Sequence, residues 1–268
     1  MDDANAFDVV VIGGGTAGMT VARLVAGAGR RVALIEAERT GGDCLLTGCV
    51  PSKSLLAAAR VAQTIRGAAA FGITVGQPVV DVAAVVARKD RIVERIGEAD
   101  SPETLARAGV TVIAGLARFT SPHAIAVGDR AIRAEQVVIA TGSRPAVPPI
   151  EGLADAGYVT NVEALELRAA PQRLAVIGAG PTGLELGQAF ARFGSAVTVI
   201  ERGERILSEH DAEAAAMAQQ SLAQEGITFR LAHEAVRVER GPASKRLTSR
   251  GIDGQEIALD ADEILVAT

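Results

Sequence analysis

One glycine pattern occurs twice in this chain, and it restricts the possible folds more than any other feature. Each copy reads G-x-G-x-x-G, follows a short apolar run rich in β-branched residues, and precedes a helix-forming segment. A second apolar run that ends on glutamate completes each copy, and the two copies lie 165 residues apart. Strand, glycine turn, helix, strand and acidic residue in this order are the signature of a dinucleotide-binding βαβ unit. The positions are Gly13, Gly15, Gly18 and Glu36 in the first copy, and Gly178, Gly180, Gly183 and Glu201 in the second.

Each position of the pattern has a physical task. The first glycine allows a tight turn, the second lets a pyrophosphate approach the backbone, and the third lets the helix pack on the strand. The helix N-terminus attracts phosphate, and the glutamate accepts hydrogen bonds from ribose hydroxyls. Two copies therefore predict an α/β protein with two Rossmann-like dinucleotide-binding domains, one for each of two cofactors, each with a small antiparallel meander. The proline-rich run Arg144–Pro149 is the clearest linker, so we expect domains at residues 1–147 and 148–268.

The remaining segments predict further helices and strands. Residues 54–66 and 81–108 read as two helices, the second restarting at Ser101-Pro102 because serine before proline favours a helix start. Short strands of a first meander are expected at 117–119, 124–127 and 131–133. A separate buried strand is expected at 136–140.

Composition narrows the possible functions. The net charge is −5 and no basic run is present to neutralise phosphates, which argues against a nucleic-acid partner. No stretch of about 18 uninterrupted apolar residues occurs, so no membrane span is expected. The acidic start Met1-Asp2-Asp3 is unlike the basic beginning of a secretory signal, which favours a cytoplasmic protein. In that compartment a cysteine pair is more often catalytic than structural.

The two cysteines of the chain, Cys44 and Cys49, lie close together just after the first dinucleotide unit. Pro51 suits the first turn of a helix, so Cys49 is expected at a helix N-terminus with Lys53 one turn on. Both features favour a thiolate at Cys49, and Cys44 receives less of that help. The spacing permits a redox pair, but a pair of inert thiols or half of a metal site remains open. No histidine lies close in sequence to complete a four-ligand zinc site.

The segment Gly41–Lys53 resembles the active-site signature of the FAD-dependent pyridine nucleotide–disulfide oxidoreductases, which include dihydrolipoamide dehydrogenase, glutathione reductase and mercuric reductase. The family pattern reads roughly G-G-T-C-x-x-x-G-C-[VI]-P-S-K. The chain matches it at Gly41, Gly42, Cys44, Gly48, Cys49, Val50, Pro51, Ser52 and Lys53. It departs at Asp43, where the family usually has threonine, and this leaves the subfamily and the local FAD contacts open.

The resemblance implies a role for each part. FAD would bind the first domain and NAD(P)H the second, and Cys44 and Cys49 would form a redox disulfide. Cys49 would lie beside the flavin, and Cys44 would attack the substrate. Further FAD contacts are expected from Gly42 and from the turn Thr141, Gly142 and Ser143. Glu185 would pair with Lys53 across the domain junction, beside the flavin and the nicotinamide.

The cofactor preference depends on three residues of the second domain. Glu201 would bond both ribose hydroxyls of NADH and repel the 2′-phosphate of NADPH. Arg202 and Arg205 follow closely and could accommodate that phosphate. The sequence therefore favours NADH while leaving NADPH open.

The predicted reaction passes electrons from NAD(P)H through flavin to the Cys44–Cys49 disulfide, and on to a disulfide or dithiol substrate such as dihydrolipoamide, or to mercuric ion. The resemblance covers about the first three-fifths of a typical member. It implies a longer homodimeric parent enzyme whose C-terminal part supplies the acid–base partner, and no metal cofactor. Two alternatives stay open: a nucleotide-binding fragment without turnover, and a flavin NADH oxidase or diaphorase that does not use the disulfide.

Overall fold

A computed structural model describes residues 5–268, so the acidic start at Met1-Asp2-Asp3 lies outside the described residues. Clustering of backbone contacts divides the chain into two compact units. The first unit comprises the chain up to Pro51 and Asp90–Arg144, and the second comprises Ser52–Lys89 and Pro145–Thr268. The domain boundary expected at residue 147 stays a prediction. Within the part of the chain that the structure describes, no helix is long and apolar enough to cross a membrane.

The first unit is built on a six-stranded sheet in the order β3-β2-β1-β6-β5-β4. Its strands are β1 (Ala6–Ile12), β2 (Val32–Glu36), β3 (Val110–Ala114), β4 (Ala117–Ser121), β5 (Ala124–Val127) and β6 (Arg130–Ile139). Its helices are α1 (Thr16–Gly27), α2 (Gly42–Leu46) and α5 (Pro102–Arg107). Strand β1 pairs in parallel with β2 and β6, so that Val10 lies between Ala33 and Val137. Strands β4, β5 and the start of β6 form the antiparallel meander.

Both faces of this sheet are covered where its strands are parallel. On one face Val10 and Ala33 pack in a cluster with Ile125, and on the other Val11 packs in a cluster with Met19 of α1. Continuous apolar runs are expected of parallel strands that are buried on both faces. The α/β fold class predicted from the sequence is confirmed.

Strand β6 corrects one prediction from the sequence. The segments 131–133 and 136–140 were expected as a meander strand and a separate buried strand, but they form one ten-residue strand. Its first residues pair with β5, and its later residues pair with β1. The two segments join because no glycine or proline lies between them to interrupt the extended backbone.

Two long helices contribute residues to both units. Helix α3 spans Cys49–Gly67 and α4 spans Val82–Gly97, which a short 3-10 turn at Glu98–Asp100 extends. The helix restart predicted at Ser101-Pro102 is confirmed, because the Ser101 hydroxyl accepts a hydrogen bond from the Thr104 amide at 3.2 Å and caps α5.

The second unit contains a four-stranded parallel sheet in the order β13-β7-β8-β9 and a three-stranded antiparallel sheet in the order β10-β11-β12. Its strands are β7 (Arg173–Ile177), β8 (Ala196–Ile200), β9 (Thr228–Arg230), β10 (His233–Arg240), β11 (Lys245–Gly251), β12 (Glu256–Ala261) and β13 (Glu263–Val266). Its helices are α6 (Leu153–Ala156), α7 (Asn161–Ala164), α8 (Pro181–Phe193) and α9 (Ala212–Gln224). The largest apolar cluster joins Leu55 of α3 with Leu184 and Phe190 of α8 and Val199 of β8.

The start of α7 gives a test of local stability. The Thr160 side chain accepts from the Val162 amide at 3.3 Å, and Glu163 accepts from the Thr160 amide at 2.8 Å and from its hydroxyl at 2.6 Å. We expect Thr160→Ala to lower the free energy of unfolding by about 1 kcal/mol at neutral pH, measured by urea denaturation. Thr160→Ser keeps the hydroxyl and should lose less than half as much.

The loss should depend on pH. The Thr160 hydroxyl and amide hold the pKa of Glu163 below its usual value. A depressed carboxyl pKa contributes stability above the pKa of the unfolded chain, and that contribution is lost as the pH falls through the folded pKa. The difference between wild type and Thr160→Ala should therefore shrink in acid, and a difference that grows there would contradict the cap.

Candidate active site

The two cysteines lie in two consecutive helices, which a short connection joins. Helix α2 carries Cys44 and ends at Leu46, and α3 begins at Cys49 after a two-residue connection. Gly48 lets the chain double back on itself, because a Cβ at this position would lie 2.8 Å from the carbonyl oxygen of Asp43. Cys49 therefore starts a helix, as predicted from Pro51.

Cys44 and Cys49 are not joined by a disulfide in this structure, and their side chains are hydrogen-bonded to each other, with Cys44 half-buried and Cys49 exposed. The hydrogen bond to Cys49 raises the pKa of the Cys44 thiol, and burial and the charge of Cys49 add to this. A hydrogen bond from the Thr16 hydroxyl acts in the opposite direction. The Cys44 and Cys49 side chains are therefore neighbours, and their sulfur atoms are candidates for a redox pair.

A matched pair of variants tests the origin of this raised pKa. We expect Cys49→Ala to lower the pKa of Cys44, because it removes both the hydrogen bond and the negative charge that raise it. Cys49→Ser removes the charge and keeps a hydrogen-bonding hydroxyl, so its effect should be smaller. The measurement is the rate of Cys44 alkylation by iodoacetamide against pH, which should rise at lower pH in the alanine variant. If the alkylation rate of Cys44 depended on pH identically in Cys49→Ala and Cys49→Ser, the hydrogen bond would not contribute to the raised pKa.

The glycine turn of the first unit leaves no room for side chains. Gly13 has φ +108°, and a Cβ there would lie 2.1 Å from the carbonyl oxygen of Ala140. A Cβ at Gly18 would lie 1.9 Å from the carbonyl oxygen of Gly13. Gly42 has φ +61°, and a Cβ there would lie 2.5 Å from the Cα of Gly15. The start of α2 thus packs directly on the glycine turn and brings the redox segment to it.

The turn predicted to approach FAD lies in the same region of the first unit. A Cβ at Gly13 would lie 3.1 Å from the Cα of Thr141, and one at Gly142 would lie 3.9 Å from Asp43 Oδ2. The other carboxylate oxygen of Asp43 accepts from the Thr47 hydroxyl at 3.3 Å. Asp43 and the turn 141–143 are therefore neighbours around the glycine turn.

The second unit repeats this geometry. Gly178 has φ +107°, and a Cβ there would lie 2.5 Å from the carbonyl oxygen of Ala267, while one at Gly183 would lie 2.4 Å from the carbonyl oxygen of Gly178. Gly180 faces open space. A cleft of about 730 Å³ opens there, and its lining includes Gly178, Gly180, Glu201, Arg202 and His233. A cleft of this volume is typical of cofactor sites.

Both acidic residues of the pattern brace their own glycine turn, which the sequence did not predict. Glu36 accepts from the amide of Gly14 at 2.5 Å and from that of Glu38 at 2.8 Å. Glu201 accepts from the amide of Ala179 at 2.8 Å and from that of Gly203 at 2.7 Å. Each carboxylate oxygen keeps a second lone pair, so the predicted contacts to ribose stay available.

Arg205 is engaged by the backbone of its own loop. Its guanidinium donates to the carbonyl oxygens of Leu207 at 3.3 Å, Ser208 at 2.5 Å and His210 at 2.9 Å. These bonds hold the loop after β8, and Arg205 does not line the cleft as Arg202 does. Of the two arginines expected near a 2′-phosphate, Arg202 is the one that the structure places at the cleft.

Lys53 and Glu185 form an ion pair in which Lys53 Nζ lies 2.8 Å from Oε1 and 2.7 Å from Oε2. The sequence predicted this contact across a domain junction, but backbone contacts place both residues in the second unit. Sequence reasoning missed Ser52, whose hydroxyl donates to Glu185 Oε2 at 3.2 Å. The available signal was its place in the motif beside Lys53.

Residues 5–268 contain no group of three or more His, Cys, Asp or Glu side chains that could hold a metal ion. The candidate residues of the first unit are a glycine turn and a thiol pair, and those of the second unit are a glycine turn and an ion pair. The backbone amides of the glycine turns suit the binding of phosphates, and the thiols suit the exchange of disulfides.

Comparison with known proteins gives the family. The family model described as pyridine nucleotide-disulphide oxidoreductase matches residues 7–268. The chain belongs to this family. Members are flavin-dependent oxidoreductases that use NAD(P)H, in agreement with the two dinucleotide-binding folds of this chain.

Individual family members align with nearly the whole chain. This chain is 33% identical over 262 residues to mercuric reductase of Lysinibacillus sphaericus, and the alignment covers 98% of this chain and 48% of that protein. This chain is also 32% identical over 266 residues to dihydrolipoyl dehydrogenase of Acholeplasma laidlawii, and the alignment covers 97% of this chain and 77% of that protein. The Cu(II) complex of the HOCl-induced flavoprotein disulfide reductase RclA from Escherichia coli has a TM-score of 0.83 and 29% identity, covering 98% and 56%. The chain thus spans about half the length of the mercuric reductase.

Proposed function

We propose that this chain is the nucleotide-binding and redox part of an FAD-dependent NAD(P)H:disulfide oxidoreductase. The observation that carries the proposal is the hydrogen-bonded pair Cys44 and Cys49, held against the glycine turn of the first dinucleotide fold. A second dinucleotide fold in the same chain provides a separate site for the electron donor. FAD, when bound, supplies the two-electron link between a nicotinamide and a disulfide.

The residues present suit both cofactors. In the first unit the contacts of Gly13, Gly18 and Gly42 exclude side chains from the turn, and α1 begins beside it at Thr16, where free amides attract phosphate. In the second unit Gly180 faces open space at the cleft that Glu201 lines. We assign FAD to the first unit and NAD(P)H to the second, because the thiol pair lies in the first unit and needs the flavin beside it.

The thiol pair then carries out disulfide exchange. The oxidised pair takes up two electrons, which NAD(P)H supplies, and two protons, and becomes two thiols. Cys44 then loses its proton, and the thiolate attacks one sulfur atom of the substrate disulfide. That bond breaks, the first substrate thiolate leaves, and a mixed disulfide forms on Cys44. The Cys49 thiolate next attacks the Cys44 sulfur, releases the second substrate thiolate and restores the Cys44–Cys49 disulfide. From the family resemblance, the Lys53–Glu185 ion pair of the second unit is assigned to the flavin and the nicotinamide.

The substrate is a small disulfide or dithiol of the dihydrolipoamide type, or a mercuric ion. The names of two relatives support these choices, since one is a mercuric reductase and the other a dihydrolipoyl dehydrogenase. The mercuric ion is a soft metal ion, and soft metal ions bind preferentially to thiolates such as those of a cysteine pair. NADH is the preferred donor, because the Glu201 carboxylate lines the cleft and would repel a 2′-phosphate, and of the two candidate arginines only Arg202 lines the cleft beside it. A homodimeric parent enzyme and a cytoplasmic location stay predictions.

The test compares wild type with the double variant Cys44→Ser/Cys49→Ser, each supplied with FAD and NADH. The proposal expects disulfide reduction to be lost in the double variant while NADH-dependent reduction of a quinone remains. A diaphorase that does not use the disulfide would show both activities unchanged. A nucleotide-binding fragment without turnover would reduce neither substrate even as wild type, and either result would overturn the proposal.

A further inference from the structure

We propose that Ser52 is a positioning residue whose hydroxyl fixes the Glu185 carboxylate for its ion pair with Lys53, an inference that rests on the function proposed for that pair. Ser52 Oγ donates to Glu185 Oε2 at 3.2 Å, and Lys53 Nζ lies 2.7 Å from the same oxygen and 2.8 Å from Oε1. The serine and the lysine therefore share one oxygen atom. The orientation of the Glu185 carboxylate therefore depends on both donors.

Ser52 is placed for this task by the packing of α3. Ser52, Leu55, Ala59 and Ala62 are all buried and recur at the spacing of one helix face. Leu55 and Ala59 pack in the same apolar cluster as Leu184 of α8, the residue before Glu185. Ser52 is thus the polar end of a buried stripe, and a buried hydroxyl costs free energy unless it finds a partner.

The ion pair alone would hold Glu185 loosely. The Lys53 side chain is 57% exposed and that of Glu185 is 32% exposed. Exposed pairs between long side chains contribute little, because water screens the charges and both chains lose rotational freedom. Ser52 is only 8% exposed and short, so its hydroxyl loses little freedom when it binds. Alanine would preserve the packing and favour the helix, so Ser52→Ala isolates the hydroxyl.

The chain contains three lysines, Lys53, Lys89 and Lys245, which allows a direct assay of the pair. The full chain is treated with sulfosuccinimidyl acetate at low conversion, and acetylation of each lysine is followed by mass spectrometry. Lys245, which is paired with Glu263, is the internal reference. We expect Ser52→Ala to raise the Lys53 rate relative to Lys245 by about threefold to tenfold, the range that one hydrogen bond supports. Ser52→Thr, which keeps the hydroxyl, should restore the wild-type ratio.

Two controls separate positioning from general loosening. Ser54→Ala removes a hydroxyl that is 7% exposed, two residues further along the same helix, and should leave the ratio unchanged. In a Glu185→Ala background, Ser52→Ala should add no further increase, because its effect passes through the carboxylate. An unchanged Lys53 rate in Ser52→Ala, or an equal increase without Glu185, would overturn the inference. The assay uses neither flavin nor nicotinamide, so its failure would be distinct from failure of the proposed function.

Discussion

Cys44→Ser should reduce NADH-dependent disulfide reduction by about 1,000-fold or more, because it removes the sulfur atom that attacks the substrate. The hydrogen bond between Cys44 and Cys49 shows that the two side chains are neighbours, so a serine of similar size should fit without repacking. The measurement is steady-state reduction of a lipoamide-type disulfide by wild type and variant supplied with FAD. Quinone reduction by NADH should continue, since it does not use this sulfur.

The matched variant Cys49→Ser should fail at a different step. Cys44 can still attack the substrate, but no second thiolate is present to release it, so a mixed disulfide should accumulate on Cys44. Intact-mass spectrometry after incubation with the disulfide should detect this adduct in Cys49→Ser and not in Cys44→Ser. The adduct should form faster as the pH rises, because the thiolate of Cys44 is the species that attacks the disulfide. Disulfide reduction that survives Cys44→Ser would contradict the assignment.

Gly178→Ala should weaken NADH binding by about 100-fold, because the new Cβ would lie 2.5 Å from the carbonyl oxygen of Ala267 and the turn must shift. Displacements of about 1 Å at sites that depend on close approach have effects of this size. The glycine also has φ +107°, so alanine adds strain of about 1–3 kcal/mol to the folded state. NADH affinity is measured by fluorescence titration and stability by urea denaturation.

Gly194→Ala is the matched control for this prediction. Gly194 follows α8 with φ +114°, yet a Cβ there meets no atom within 4 Å. The variant shares the backbone strain and lacks the clash, so it should lose stability while retaining NADH affinity within about twofold. Equal losses of affinity in both variants would show that strain alone, rather than closure of the turn, governs binding.

The regular elements of this chain were the most predictable part. In each copy of the glycine pattern, the apolar runs before and after the helix form the expected strands, β1 and β2 in the first unit and β7 and β8 in the second. Strand β6 was less predictable, because its first residues pair with β5 and its later residues pair with β1, and the sequence does not show this change of partner. Local pattern indicates where a strand forms, whereas its continuity depends on which neighbours it finds.

The candidate site was predicted as a set of residues, and its hydrogen bonds were not. The thiol pair and the contact between Lys53 and Glu185 came from one motif and a family resemblance. The bracing of the turns by Glu36 and Glu201 and the engagement of Arg205 depend on backbone amides and carbonyl groups, which carry no sequence signal. Ser52 was missed because a serine in a helix is ordinarily a neutral residue.

Titration of free thiols before and after anaerobic addition of NADH tests the central claim most directly. The purified chain is first oxidised, supplied with FAD in excess and freed of air, and its thiols are counted with a chromogenic disulfide. The chain has two cysteines, so the account predicts that the number of free thiols rises from zero to two per chain when NADH is added. One NADH should be oxidised for each chain that is reduced. The Cys44→Ser/Cys49→Ser variant should gain none. A flavin-loaded wild-type chain that gains no thiols from NADH would contradict the account.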